Sequence, residues 1–282
     1  MATLQTDTGT VSIRLARTQA EIESAQRLRY EVFYEEHGAK PSPEMLAIRR
    51  DFDAFDTLAD HLIVVFEHAG GETIVGTYRL INQEAAKRYG QFYPSAEYDL
   101  APLLNSDAKL LELGRSCVLP QYRTRPIMQL LWQGIAEYVT DHRIDLLFGC
   151  ASLHGTDLQA NAKALSYLYH YHLAPADLRP RALGARYENM NILPKESLNL
   201  REVFSDLPPL IKGYLRVGAR IGDGAVIDAQ FNTTDVCIIM QTNLVTSRYR
   251  KHYERKIQKP LPGGETDAAE IDGVPAWAQR PA

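Results

Sequence analysis

Seven residues scattered over the first 115 positions carry the side chains best suited to chemistry. They are Arg29 and Phe33 in LRYEVF, Asp53 and Asp56 in DFDAFD, Arg79 in VGTYRL, and Glu112 and Arg115 in ELGRSCV. Three acids, three bases and one aromatic ring recur in short segments that otherwise read as helix and strand. An ionised group beside a buried strand must be paired or must bind something charged, and such groups commonly face a cleft. The chemistry they suit is mutual pairing or the capture of something charged.

Those side chains need elements to hold them. Thr18 and Glu21 form a capping box, and Ile22, Ala25, Leu28, Val32 and Phe33 recur at helical spacing. A helix is therefore predicted over 19–36, with Gly38 as its stop. The segment 39–58, with Pro41 and Pro43, reads as loop and carries the aspartates. HLIVVFE at 61–67 and TIVGTYRLI at 73–81 read as a hairpin turned at Gly70-Gly71. LLELGRSCVL at 110–119 is a third strand, Pro126 opens a helix to 142, and LLFGCAS at 146–152 is a further strand. Strand, helix, strand in that order is a βαβ unit with parallel neighbours. A helix over 157–172 and a strand over 234–241 follow. Pro209 to Asp228, with Lys212, Arg216 and Arg220 at intervals of four, reads as the start of a helix and then a hairpin. FNTTDV at 231–236 reads as a structural turn into a strand.

Composition sets bounds. The chain has 282 residues, 45% hydrophobic and 23% charged, which is ordinary for a globular protein with a sizeable core. A net charge of -4 gives no reason to expect nucleic-acid binding. Cys117, Cys150 and Cys237 show no CxxC spacing, so neither a disulfide framework nor a metal site is expected. The start lacks a signal peptide, and apolar runs such as LIVVF fall far short of the ~20 residues of a spanning helix. These features point to a cytoplasmic protein, peripheral if it meets the inner membrane.

The order and spacing of the seven residues resembles the N-acyltransferases that make acyl-homoserine lactone signals. The wider wording, in ADHLIVV, ELGRSCVLPQYRT, LLFGCAS and PPLIKGYLRVGARIGDGAVID, more closely resembles the bacterial L-ornithine N-alpha-acyltransferases, from residue 13 to residue 245. Both belong to the GNAT superfamily. The resemblance implies an α/β (α+β) fold with a mixed central sheet flanked by helices over 11–245, a basic amphipathic helix over 246–259 and a disordered tail over 260–282. Residues 1–10 read as loose. It also implies transfer of a 3-hydroxy fatty acyl group from acyl carrier protein to the α-amine of L-ornithine, giving lyso-ornithine lipid. A separate O-acyltransferase would add the second chain.

In GNAT enzymes a strand runs into a loop V-x-P-x-x-R-G-x-G-x-G that binds the donor. Here Val118, Pro120 and Arg123 match, while Thr124, Pro126 and Met128 replace the glycines. Proline offers no N–H to a phosphate, and Met128 obstructs the close approach that glycine permits. Weak binding of coenzyme A is therefore expected, with Arg123 and Arg125 meeting the phosphodiester or acidic surface of a carrier protein. Thr124 and Ile127 complete the donor loop. The acyl-4′-phosphopantetheine is then a substrate, and no resident cofactor is expected.

N-acylation requires a neutral amine and a stabilised oxyanion. Glu112 is the candidate base, directly or through water, and a backbone amide near Cys117–Val118 the oxyanion donor. Asp53 and Asp56 suit the side-chain ammonium of ornithine, and Arg29, Arg79 or Arg115 its carboxylate; Phe33 and Ser116 complete the acceptor site. The alternative is a salt-bridge network that shapes the cleft. Glu112 and Arg115, three apart on a strand, share a face only if a bulge intervenes. Cys117 and Cys150 read as buried thiols, and His154, His170 and His172 as loop or surface residues. SRYRKHYERKIQK repeats Tyr249, Tyr253 and Ile257 every four residues among basic side chains, which suits an anionic membrane, an acidic protein or packing on the core. Rival functions are acyl-homoserine lactone synthesis, N-acylation of another amino acid, and a non-catalytic binding module.

Overall fold

The computed structural model describes residues 2–6, 9–245 and 247–262. The chain begins with strands β1 (Ala2–Thr6) and β2 (Gly9–Leu15), helices α1 (Gln19–Tyr30) and α2 (Pro43–Ile48), strands β3 (Asp60–His68) and β4 (Gly71–Asn82), and helix α3 (Gln83–Tyr89). Next come β5 (Tyr98–Asp99), α4 (Ala101–Leu104), β6 (Leu110–Val118), α5 (Arg125–His142), β7 (Leu146–His154) and α6 (Ala162–His172). The last elements are β8 (Arg181–Ala182), α7 (Leu200–Asp206), α8 (Pro209–Val217), β9 (Arg220–Asp228), β10 (Thr233–Gln241) and α9 (Ser247–Ile257). Two compact units result. The first takes the described residues of Met1–Phe92 with Leu111–Arg143 and His252–Leu261, and the second takes Tyr93–Leu110 and Ile144–Lys251.

In the first unit the strands run β1–β2–β3–β4–β6, each antiparallel to its neighbour. The β3–β4 hairpin turns where the glycine pair predicts it, and Gly71 takes φ +119°, a conformation that side chains oppose. Helix α5 covers this sheet with Ile127, Leu130, Leu131, Ile135 and Tyr138 buried. Gly134 permits the contact, because a Cβ there would stand 2.6 Å from Ile13 Cδ1 and 3.1 Å from Leu62 Cδ1.

Three expectations are corrected here. The N-terminal residues are not loose: β1 pairs with β2, with Ala2 opposite Ile13 and Thr6 opposite Gly9. Backbone pairing extends this polar edge, so no hydrophobic alternation announces it. The predicted helix over 19–36 begins at its capping box but changes at Tyr30 into a π-helical turn, Glu31–Glu36. The segment 39–58 is not all loop. Ser42 caps α2 and Pro43 sits at its first position, where proline is favourable, and a 3₁₀ turn follows at Ala54–Thr57.

In the second unit the order is β7–β10–β9–β8–β5. The β8–β9 pair is parallel and the others antiparallel, so the sheet is mixed. The stretch from Pro209 to Asp228 becomes α8, closed by Gly218 at φ +108°, and then β9, which hairpins into β10. The helix expected over 157–172 starts later, at Ala162. Leu165, Leu168, Phe204, Ile211 and Leu215 supply much of this unit's core.

Helix α9 coincides with the basic segment. Tyr253 and Ile257 are buried, while Lys251, Arg255 and Lys256 are exposed, so its apolar repeat packs on protein. Its C-terminal end is held to α5 by Gln133 and by the Lys259–Asp141 pair. The tail is ordered further than expected, because Leu261 is buried and its N–H donates to Glu254 at 3.0 Å. The rest of the predicted tail, 263–282, lies outside the described residues.

Candidate active site

The last turn of α1 and the π-helical turn after it place three side chains together. Arg29 closes α1, and Phe33 and Tyr34 follow on the wider turn, where His37 N–H reaches back to Val32 at 3.1 Å and Ala39 N–H to Phe33 at 2.9 Å. A π turn shifts every later side chain around the helix axis and is frequent at functional sites. Here it leaves Phe33 partly exposed and Tyr34 buried.

DFDAFD folds around its own acids. Asp53 Oδ1 accepts the Phe55 N–H at 2.9 Å and Asp56 Oδ2 accepts the Asp53 N–H at 3.2 Å, a capping box on the 3₁₀ turn. Asp51 N–H donates to the Gln26 carbonyl at 3.1 Å and joins the loop to α1.

Three arginines grip these acids. Arg29 donates through Nε to Asp51 Oδ2 at 2.7 Å, through Nη1 to Asp56 Oδ1 at 3.0 Å and through Nη2 to Asp56 Oδ2 at 2.7 Å. Arg79 Nη1 donates to Asp53 Oδ1 at 2.6 Å and Asp56 Oδ1 at 3.3 Å. Arg115 donates to Asp51 Oδ2 at 3.2 Å and Asp53 Oδ2 at 3.0 Å. Tyr34 OH donates to Asp51 Oδ1 at 3.0 Å and Gln26 to Asp56 at 3.1 Å. Three guanidinium groups thus face three carboxylates and balance in charge. Burial pushes the Asp51 carboxyl up, but Arg115 and Arg29 outweigh it and hold it low; Asp56 is likewise driven well below the usual carboxylate range, chiefly by Arg29.

The network is graded from floor to rim. The side chains of Arg29 and Asp51 are fully closed, whereas Arg115 is 12% and Asp53 23% exposed. The structure therefore brings Arg29, Asp53, Asp56, Arg79 and Arg115 together, with Asp53 and Arg115 nearest to solvent. Asp51, at the centre, is absent from the residues singled out in the sequence although it opens DFDAFD, because Glu112 already supplied a third acid to the three arginines there. His61 was missed as well. It is buried, contacts the Asp56 carbonyl at 2.9 Å, and burial lowers its pKa below the ordinary histidine range.

Strand β6 carries the bulge that the spacing demands. Thr77 pairs with Cys117 and Arg79 with Gly114, so Arg115 and Ser116 together oppose Tyr78. Arg115 takes φ +50°, a left-handed conformation that non-glycine residues adopt mainly under local constraint. The extra residue turns Arg115 into the acid network. Glu112 is buried, and its Oε1 lies 3.5 Å, and Arg79 Nε 4.0 Å, from where a Cβ on Gly114 would stand. Glu112 and Arg79 thus converge over a residue that has no side chain.

Beyond the bulge, Leu119 N–H donates to Val75 at 2.9 Å. Successive amides on a strand point to opposite edges, so the N–H and carbonyl of Val118 are directed away from β4. That carbonyl accepts Arg123 Nε at 3.0 Å. Arg123 also makes two parallel bonds of 2.5 Å to Glu36 on the π turn, a partner the sequence did not suggest. At the head of α5, Thr124 and Arg125 are exposed, Pro126 occupies the first turn without an N–H, and Ile127 is buried. Met128 N–H is already bonded to the Thr124 carbonyl at 3.1 Å.

Burial raises the thiols of Cys117 and Cys150 far above the ordinary range, which disfavours a thiolate. The histidines need one correction: His172 is fully buried, on α6, and not a surface residue. His170 contacts the Leu193 carbonyl at 2.9 Å, and His154 is exposed.

Residues 28–133 match the Acetyltransferase (GNAT) domain family. The L-ornithine N(alpha)-acyltransferase of Brucella abortus (strain 2308) is 47% identical over 253 residues, covering 87% of this chain and 89% of that protein. The protein of the same name from Agrobacterium fabrum (strain C58) is 45% identical over 250 residues, covering 87% and 85%. Among solved structures, an N-acyl amino acid synthase from uncultured soil microbes is 14% identical, covers 83% of this chain and 92% of its own, and superposes with a TM-score of 0.47. At 45–47% identity over most of both chains, the protein belongs to the L-ornithine N-alpha-acyltransferase family, on the GNAT acyltransferase fold.

Proposed function

We propose that the protein transfers a 3-hydroxy fatty acyl group from acyl carrier protein to the α-amine of L-ornithine, the first step towards ornithine lipid, a phosphorus-free membrane lipid. The names of the relatives support the acceptor, and the observation that carries the mechanism is the bulged β6 with Glu112 on one side and the Val118 amide on the other. The α-ammonium gives a proton to Glu112, directly or through water. The neutral nitrogen then forms the C–N bond to the thioester carbonyl, and the Val118 N–H stabilises the oxyanion. Collapse breaks the C–S bond; the thiolate takes up one proton and a second is released to solvent. The acid–arginine network holds the cleft in shape, with Asp53 and Arg115 at the rim as the acceptor contacts.

A carrier-protein donor is supported by the head of α5, where Pro126 removes one phosphate-binding amide and no glycine opens the backbone. Arg123 and Arg125 would meet the carrier, Arg123 after leaving Glu36. No metal or resident cofactor takes part in this scheme. We place the reaction at the cytoplasmic face of the inner membrane, with the exposed basic residues of α9 as the contact and a separate O-acyltransferase downstream. Among the described residues no helix is long and apolar enough to cross a membrane.

The test is a mass-spectrometric assay with 3-hydroxyacyl carrier protein and a mixture of ornithine, lysine, tyrosine and S-adenosylmethionine. Nα-acyl ornithine as the main product is expected; an acyl-homoserine lactone or another acyl amino acid would replace the acceptor. Equal catalytic efficiency with acyl-coenzyme A would overturn the donor assignment. Flotation with anionic liposomes tests α9, and an unchanged membrane fraction after removal of 247–282 would overturn that contact.

A further inference from the structure

Gly114 sits in the middle of β6 with no steric or backbone reason to be a glycine. A glycine inside a strand weakens it and often marks the close approach of another group. Other glycines of the first unit are explained by packing. A Cβ on Gly76, in β4, would meet Val118 Cγ2 at 3.2 Å, and one on Gly134, in α5, would meet Ile13 Cδ1 at 2.6 Å. Gly114 is different. Its φ is not positive. Beyond its chain neighbours, a Cβ there would come within 4 Å of two atoms only, Glu112 Oε1 at 3.5 Å and Arg79 Nε at 4.0 Å. Those are ordinary van der Waals distances, so an alanine would fit.

What the missing side chain leaves is an approach to a buried acid. Gly114 pairs with Arg79 on β4, and Glu112, two residues earlier, pairs with Ile81, so all of them point to one face of the sheet. Glu112 and Arg79 are each 1% exposed, whereas Gly114 is partly exposed. Solvent therefore touches this strand at Gly114, beside the Glu112 carboxylate and one residue before Arg115 on the rim of the network. A nitrogen or oxygen in the place of the Cβ would need to move only about 0.5 Å to come within hydrogen-bond reach of Glu112 Oε1.

A primary amine suits that space. It fills the room of one heavy atom and turns its N–H groups to the carboxylate. The Arg79 guanidinium on the other side opposes the extra positive charge of an ammonium, which favours passing the proton to Glu112 and keeping the nitrogen neutral and nucleophilic. We propose that Gly114 is a specificity-determining position, whose lack of a side chain admits the attacking primary amine of the acceptor to Glu112. That this amine is the α-amine of ornithine rests on the reading above. The room for a single heavy atom comes from the geometry of β4 and β6 alone.

The test compares the full-length wild type with Gly114→Ala in steady-state acyl transfer from 3-hydroxyacyl carrier protein to ornithine, with urea unfolding alongside. Alanine is expected to hold or raise the unfolding midpoint, because it fits and loses less backbone freedom on folding. It is expected to lower kcat/KM for ornithine roughly 100-fold, while KM for the donor stays within about twofold. A midpoint that falls together with activity, or a donor KM that rises as steeply as the ornithine term falls, would make Gly114 a packing residue and overturn the inference. Full activity of the variant would also overturn it and leave the ornithine reading intact. A second measurement needs no variant. Nα-methyl-L-ornithine carries one added carbon on the attacking nitrogen, and the wild type is expected to acylate it about 100-fold less efficiently than ornithine; equal efficiency would overturn the inference. If the wild type acylates a different primary amine in place of ornithine, the ornithine reading falls, and loss of that activity in Gly114→Ala leaves the opening standing.

Discussion

Arg29 Nε lies 2.7 Å from Asp51 Oδ2, and neither side chain has any exposure to solvent. The same carboxylate oxygen also receives Arg115 Nε at 3.2 Å, so one buried acid joins α1 to the bulge of β6. A paired charge in a dry interior contributes modest net stability, but loss of one partner strands the other. The pair therefore acts as a constraint on geometry, and its removal should be felt in both folding and rate.

Asp51→Ala should destabilise the protein by roughly 3–5 kcal/mol, because it leaves Arg29 and Arg115 without a shared counter-charge. Asp53→Ala, at the 23% exposed rim, should cost less than half of that and depress catalytic efficiency more than stability. Urea unfolding of both variants checks the order, and equal losses would contradict a graded network.

Glu112→Gln should keep the fold and lower kcat by about 10²–10⁴, the range for loss of a general base. Single-turnover acyl transfer with matched unfolding curves gives the answer. Full activity would remove Glu112 from the proton path.

Glu36 and Arg123 give a prediction with opposite signs. Their ion pair is partly exposed, at 31% and 37%, so breaking it should change stability by less than about 1 kcal/mol. Glu36→Ala releases Arg123 and should lower KM for the acidic carrier-protein donor at low salt, while Arg123→Ala should raise it. A salt series of KM values reads both, and the same direction in both variants would exclude Arg123 as the carrier contact.

His172 predicts acid sensitivity. Burial, aided by Arg220, lowers its pKa to about 3 from the ordinary 6.5, so between those values the unfolded chain binds a proton that the folded chain refuses. Stability must then fall as pH drops through that window, by up to about 1.4 kcal/mol per pH unit. Asp235, raised to about 7, acts in the opposite sense, since its folded form holds a proton between 3.8 and 7. The difference between wild type and His172→Leu isolates the histidine. On going from pH 7 to pH 5 the urea midpoint of the variant should rise relative to that of the wild type, and an unaltered difference between the two would count against this account.

The sequence by itself determined the elements with strong periodicity and capping. Thr18 and Glu21 start α1, the Gly70-Gly71 pair joins β3 to β4, and the run ending in Val118 is a strand, because these signals are local and each is satisfied within a few residues. It also announced the bulge, since Glu112 and Arg115 cannot share a face in a regular strand. Only the tertiary structure decided who pairs with whom. Asp51 joins Arg29 across 22 positions and Glu36 joins Arg123 across 87, separations at which no periodicity carries information. The π turn and the β1–β2 hairpin were hidden for a related reason: backbone hydrogen bonds, and not side-chain patterns, define them. The grouping of Glu97, Cys150 and Asp235 in the second unit was hidden most deeply, because they come from three distant segments and meet only once the sheet has formed.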